Sequence, residues 1–186
     1  MNNLEKLEEA KKEKFGIFVK NFISDINLPT WEDFLKNIYI ETKKDWDGPV
    51  PNVSEMQKRY GNLIALKGFY FSINNNIEWH PSIIKIRDRL REAIDKTIMY
   101  NGSVVSLADV RVPGHIDDWH AIGIQILGNS EWTIFDSQDS SRKHKDTFLV
   151  EPGDLVIAPR GAFHKVYRNE PSASLLFDFG WGSRKT

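Results

Sequence analysis

Residues 113–135 read PGHIDDWHAIGIQILGNSEWTIF and residues 151–166 read EPGDLVIAPRGAFHKV. Both alternate short apolar runs with Gly, Pro, Asn and Asp, which is the texture of strands broken by turns. Side chains two residues apart on a strand point to the same side, so His115 and Asp117 are placed to grip one ion. A third ligand must come from elsewhere. His164 is the candidate, because it opens a strand-like run with Val166 and Arg168 just after the turn-rich APRG segment. The chain between His115 and His164 holds several short strands, enough to run out and return beside its starting point.

The same texture extends outward from these two segments. Val104–Val112, Ala121–Leu127, Trp132–Phe135, Thr147–Val150, Leu155–Ala158, Phe163–Tyr167 and Ser174–Phe179 are short, apolar or β-branched, and separated by turn residues. Seven such runs without an intervening helix predict a barrel or sandwich of the jelly-roll kind, the architecture to which cupins belong.

The N-terminal half reads differently. Apolar residues from Leu4 to Ile23 recur mostly at spacings of three and four, which predicts an amphipathic helix. Thr30 is placed to cap a second helix carrying Trp31, Phe34, Leu35 and Ile38 on one face. Residues 43–51 read as a surface loop, and Ser54 to Tyr60 as a short helix. Leu63–Ile73 is ambiguous between strand and buried helix, with its aromatics favouring strand. A helix is expected from Ser82 to about Ile98, closed by the Asn101-Gly102 pair. The expected fold is therefore mainly β with helices. It is one domain over residues 1–186, with residues 1–102 a mainly helical support packed on a β core at 103–181.

Composition narrows the function. The 186 residues carry 25 basic and 26 acidic side chains, a formal net charge of −1, so no electrostatic argument points to nucleic acid or an anionic membrane. Cysteine is absent, which removes disulfides, thiolate metal sites and a cysteine nucleophile. The charged start MNNLEKLEEAKKEK is unlike a signal peptide, and no apolar run approaches the roughly 18 residues of a membrane span. The expected location is cytoplasmic. No Gly-x-Ser-x-Gly elbow and no phosphate-cradling Gly-rich loop occurs.

With these residues in view, the chain resembles the JmjC-like and cupin-like Fe(II)/2-oxoglutarate oxygenases. Their pattern runs His-x-Asp, Gln-x-x-Gly-x-x-x-Trp, Pro-Gly-Asp, an apolar strand, Pro-x-Gly and a distal His. The matching positions are His115 and Asp117; Gln125, Gly128 and Trp132; Pro152, Gly153 and Asp154; Pro159, Gly161 and His164. The resemblance covers about 70 residues and implies a double-stranded β-helix core. It also implies Fe(II) held by His115, Asp117 and His164, with 2-oxoglutarate as co-substrate and dioxygen as oxidant. Two histidines and a carboxylate form the facial triad of such enzymes. The substrate would be a small molecule or a peptide side chain.

One position departs from the family. Where it carries a Lys or Arg for the far carboxylate of 2-oxoglutarate, two residues beyond the conserved Gly, this chain has Ser130. The alternative position about ten residues after the distal His is Ser174. Leaving a buried carboxylate without a cation is costly, so another residue must supply one or the co-substrate differs. Arg111, four residues before His115, shares its face if that run is one regular strand, and is the preferred substitute. Arg168 shares a face with His164 but is expected near a turn, and Lys67 is more remote.

Trp119 is either a substrate wall or a core edge. His120 reads as a hydrogen-bonded residue at the pocket rim, His80 as a helix-flanking residue, His144 as solvated, and residues 136–146 as a connecting loop or lid. Two other readings stay open: a non-catalytic cupin that binds a ligand, and a metal-dependent cupin enzyme that does not use 2-oxoglutarate.

Overall fold

The computed structural model describes residues 15–34, 70–73, 79–106, 110–136 and 145–180. Ten strands and one long helix order these residues. The strands are β1 (Ile17–Val19), β2 (Tyr70–Ile73), β3 (Met99–Ser106), β4 (Val110–His115) and β5 (His120–Leu127). They continue with β6 (Ser130–Phe135), β7 (Lys145–Val150), β8 (Leu155–Ala158), β9 (His164–Arg168) and β10 (Ser172–Phe179). Helix α1 spans Pro81–Ala93.

Two antiparallel sheets form: a six-stranded sheet in the order β1-β8-β5-β10-β3-β2 and a four-stranded sheet in the order β4-β9-β6-β7. Consecutive strands cross from one sheet to the other, as β4 to β5 and β5 to β6 do, which is the winding of a jelly roll. The expected mainly β, double-stranded β-helix fold is the one observed.

Burial explains the continuous apolar runs. Ile122, Ile124, Leu155, Ile157, Leu175 and Phe177 pack into a cluster with Ile83, Ile86 and Leu90 of α1. Val156 and Ala158 of the same strand β8 join Trp132, Ile134 and Val166 in a second cluster between the sheets. The six-stranded sheet is thus covered on both faces, so β8 has no polar side to show. Burying Ile83, Ile86 and Leu90 contributes roughly 2 kcal/mol each.

His80 caps α1, its Nδ1 accepting from Ser82 N, with Pro81 at the first helical position. This agrees with its reading as a helix-flanking residue. Thr30 also caps as expected: its Oγ1 accepts from Asp33 N, Asp33 Oδ2 accepts from Thr30 N, and helical structure begins at Trp31.

The N-terminal half departs from expectation at several points. Phe15–Ile23 is not helical; it forms β1 and a following turn, and residues 1–14 lie outside the described part. Phe18 stacks on Phe148 at 5.3 Å while Val19 joins the other cluster, so apolar residues on both faces of a short strand imitated helical spacing.

Helix α1 ends at Ala93 rather than near Ile98. Asp95 Oδ1 accepts from Thr97 N and Thr97 Oγ1, and Arg91 Nε donates to the Ile98 carbonyl. That tight turn inserts Ile98 into the core, where it continues the helical spacing without the helix, while Ile84 of the helix is exposed. Asn101 and Gly102 lie inside β3, and the single run expected over 104–112 splits into β3 and β4 of different sheets. The segment before residue 103 therefore supplies strands as well as helix. Within Leu63–Ile73, β2 occupies Tyr70–Ile73. The readings of residues 43–51 and 54–60, of Leu35 and Ile38, of Lys67, of His144 and of the loop interior at 137–144 lie outside the described residues.

Candidate metal centre

Strand β4 ends on His115 and β9 begins on His164, and the ladder sets these two residues opposite each other. Residues opposite each other on adjacent strands share a face. Asp117 comes just after β4, where its carbonyl accepts from Gly161 N at 3.1 Å. That bond joins the turn after β4 to the APRG turn before β9, bringing the carboxylate to the two imidazoles. Asp117 Oδ2 lies 3.7 Å from His115 Nε2 and 3.6 Å from His164 Nε2. The three ligand atoms fall within 4.8 Å of one another, and this is the metal-ligating cluster among the described residues.

The donor set fits a divalent ion. Two donors bound to one ion at about 2.1 Å, at angles of roughly 90–120°, stand about 3.0–3.6 Å apart. His164 is also prepared for that role. Its Nδ1 faces the Ala162 carbonyl at 3.2 Å, which places the ring proton on Nδ1 and leaves the Nε2 lone pair directed at the cluster. Trp132 lies parallel to its ring at 5.8 Å and 9°.

Burial, with the neighbouring His115 adding to it, holds the His164 pKa below the usual imidazole value; the Ala162 carbonyl and Asp117 act in the opposite sense. The net direction favours the neutral, metal-binding form. Exposure grades across the cluster: the side chain of His164 is 3% exposed, that of Asp117 15% and that of His115 49%. The cluster is therefore open to solvent on the His115 side and closed behind His164.

A cavity of about 180 Å³ adjoins the three residues and lies between the sheets. Val112, Trp132 and Val166 line it from one sheet, Val104 and Leu176 from the other, and Trp119 borders it as well. His120 falls outside this lining: it stacks on Phe179 at 4.6 Å and its Nδ1 accepts from Arg160 N. It is hydrogen-bonded, as expected, without being a wall of the cavity.

Neither Arg111 nor Ser130 is among the residues lining the cavity. Arg111 is opposite Tyr167 in the β4–β9 ladder, and its guanidinium lies over the Tyr167 ring at 4.9 Å, on the exposed side. An irregularity in the ladder turns Arg111 away from the His115 face. Val112 pairs with Val166, yet His115 rather than Gly114 pairs with His164. One extra residue in β4 makes a bulge, and a bulge reverses which face the following side chains occupy. Ser130 is buried and donates its hydroxyl hydrogen to Gln125 Oε1 at 2.8 Å.

Arg168, ranked lower from the sequence, is the arginine that lines the cavity, and it is 2% exposed. The signal for it was the simple alternation His164, Val166, Arg168 on an unbroken strand. Asn101, taken from the sequence as a helix end, also borders the cavity. Replacing Arg111 with Ala is accordingly expected to leave divalent-metal binding within about twofold of wild type, since exposed side chains away from such features have small effects. A tenfold loss in a titration would return Arg111 to the site.

Comparison with known proteins agrees with this geometry. The sequence profile of the JmjC domain family matches residues 73–185, a span that holds α1, β3 to β10 and all three members of the cluster. The chain belongs to the JmjC domain family. Among solved structures it is similar to YcfD, a ribosomal oxygenase from Escherichia coli, with a TM-score of 0.68 at 15% identity over 96% of this chain and 52% of that one. YcfD in complex with cobalt and succinic acid gives a TM-score of 0.69 at 16% identity, over 96% and 52% of the two chains. YcfD with cobalt and 2-oxoglutarate gives 0.68 at 16%, over 95% and 52%. This JmjC chain thus spans about half the length of YcfD, and at such identity the likeness is one of fold. A search of curated proteins finds no significant sequence match. Among the described residues of this JmjC chain, no helix is long and apolar enough to cross a membrane.

Proposed function

We propose that this JmjC chain is an Fe(II)- and 2-oxoglutarate-dependent oxygenase that hydroxylates or otherwise oxidises a small molecule or a peptide side chain. The observation that carries the reading is the cluster of His115, Asp117 and His164, with His164 Nε2 and Asp117 Oδ2 only 3.6 Å apart and the His164 proton directed away to a carbonyl. Family membership and the cobalt and 2-oxoglutarate complex of the similar fold support the choice of co-substrate. That the similar fold is named a ribosomal oxygenase makes a protein side chain a substrate class worth testing beside small molecules.

The chain's own residues bind, orient and shield. His115, Asp117 and His164 would hold the iron on one side, leaving the cavity side open for ligands. When bound, iron and 2-oxoglutarate supply an oxidation by dioxygen that releases succinate and carbon dioxide. Val112, Trp132, Val166 and Leu176 give the cavity apolar walls, which exclude water and strengthen every charge interaction inside. Partial exposure of His115 marks the side from which a substrate approaches.

Anaerobic titration with Fe(II), then with 2-oxoglutarate, tests the reading. The expected result is stoichiometric iron binding and a visible charge-transfer band on adding the keto acid, followed by succinate formation once air is admitted. Iron binding without the band would mean a metal-dependent cupin of another kind. Absence of metal binding would mean a non-catalytic cupin. Either outcome overturns the proposal.

A further inference from the structure

We infer that Arg168 is the cation that anchors the far carboxylate of the dicarboxylate co-substrate, supplied from β9 in place of the basic residue that the family pattern puts at position 130 on β6. The inference rests on the function proposed above and names a residue role specific to this chain.

Register carries the first step. In the β6–β9 ladder Trp132 pairs with Val166 and Glu131 with Tyr167, so continuing one step sets Ser130 beside Arg168, on the face shared by Trp132 and His164. A cation rooted at 168 therefore starts from the strand position next to the usual one and looks into the same cavity, which both Arg168 and the metal cluster line.

Hydrogen bonding carries the second. Gln125 Nε2 donates to the carbonyls of Leu127 and Gly128 at 2.8 and 3.0 Å, which fixes the amide so that Oε1 faces inward. That oxygen accepts from both Ser130 Oγ and Ser174 Oγ at 2.8 Å. With its hydrogen committed to Gln125, Ser174 Oγ accepts from Arg168 Nη1 at 3.0 Å, and Ser172 Oγ lies 3.2 Å from the same nitrogen. The two positions where the family pattern could carry the cation are thus serines. Ser174 holds the Arg168 guanidinium directly, and Ser130 bonds the same Gln125 oxygen that fixes Ser174. A larger basic side chain at either position would compete for the volume that this network fills.

Charge and reach carry the third. Arginine stays protonated in proteins and presents a planar fork that matches a carboxylate. The far carboxylate of a dicarboxylate can take that fork, and a monocarboxylic keto acid has no group to offer it. Four residues along β9 separate Arg168 from His164, about 13 Å of strand. That is too far for both side chains to serve one ion, and it leaves room for an ion and a short dicarboxylate between them.

Calorimetric titration of the Mn(II)-loaded protein tests this without turnover. The probes are 2-oxoglutarate and 2-oxopentanoate, which has the same chain length without the far carboxylate. The wild type is expected to prefer 2-oxoglutarate by about 100-fold, the scale of a charge-assisted pair. Arg168→Gln should weaken 2-oxoglutarate by a similar factor, leave 2-oxopentanoate and Mn(II) unchanged, and so abolish the preference. Adding Ser130→Arg to Arg168→Gln should restore part of it.

Equal affinity of the wild type for the two acids overturns the role of Arg168 even if the buried substitution fails to fold. So does a folded Arg168→Gln protein, judged by its thermal transition, that keeps wild-type affinity for 2-oxoglutarate. A wild-type protein that takes up Mn(II) but neither keto acid removes the proposed function itself, and the inference with it.

Discussion

Replacing Asp117 with Ala is expected to lower divalent-metal affinity by more than about 100-fold, beyond the 10–100-fold typical of losing a residue that merely supports a ligand. Asp117 is the charged donor of the cluster and sits between the two imidazoles. Without it, two imidazole rings remain. The fold should survive, because Asp117 lies in the turn after β4 and its link to Gly161 runs through its main-chain carbonyl. His115→Ala should behave the same way, as its side chain is half exposed and little packing is lost. Succinate formation should vanish with the metal in both variants, measured beside Mn(II) titration and thermal unfolding. Retained turnover in both would refute the ligand assignment.

The second large effect is on stability. Asp154→Ala is expected to cost about 2–4 kcal/mol, because a buried carboxylate that bonds two backbone donors is removed and the donors are left behind. Asp154 is 1% exposed; its Oδ1 accepts from Asn21 N at 2.8 Å and its Oδ2 from Glu151 N at 3.0 Å. Asn21 has φ +54, a left-handed conformation unfavourable for a side-chain-bearing residue, so this bond holds the turn after β1 in place. The melting temperature should fall by roughly 5–15 °C for a chain of this size. Asp154→Asn should rescue little, since an amide offers a hydrogen where one of the two N–H donors points. A drop of under 2 °C in thermal unfolding would show that the turn is held by other means.

The same turn reaches the candidate site. Gly153 N donates to the Gln125 carbonyl, and Gln125 N donates to the Asp154 carbonyl. Gln125 in turn orients the serines around Arg168. Loss of Asp154 should therefore weaken 2-oxoglutarate binding as well as the fold, although Asp154 lies outside the cavity wall.

How much of this was legible in the residues depends on whether local pattern and tertiary packing agreed. Leu155–Ala158 was read with its observed bounds, and the strands around Ile124, Trp132 and Leu175 to within a few residues. Each is a short apolar run closed by turn chemistry that the fold uses. The His-x-Asp pair and the distal His were visible because ligands on strand ends leave a fixed spacing. What stayed hidden was non-local. Phe18 and Val19 serve two different apolar clusters, so β1 looked like a helix face. Ile98 sits where a helix would have put it, after a turn centred on Asp95 to Thr97 had already ended α1.

The face of Arg111 was hidden for a related reason. Counting parity from His115 back to Arg111 assumed a regular strand, while the bulge in β4 adds one residue between Val112 and His115. Counting forward from His164 to Arg168 crosses no irregularity, and the alternation holds. The meeting of Arg168 with Ser130 and Ser174 depends on three strands that are adjacent in space and distant in the chain, which spacing alone does not encode.

The most direct test of the account is anomalous diffraction at the manganese edge from crystals grown with Mn(II) and 2-oxoglutarate. The account predicts one peak at about 2.0–2.3 Å from His115 Nε2, Asp117 Oδ2 and His164 Nε2 together. A peak bound elsewhere, or none at a saturating metal concentration, would contradict it.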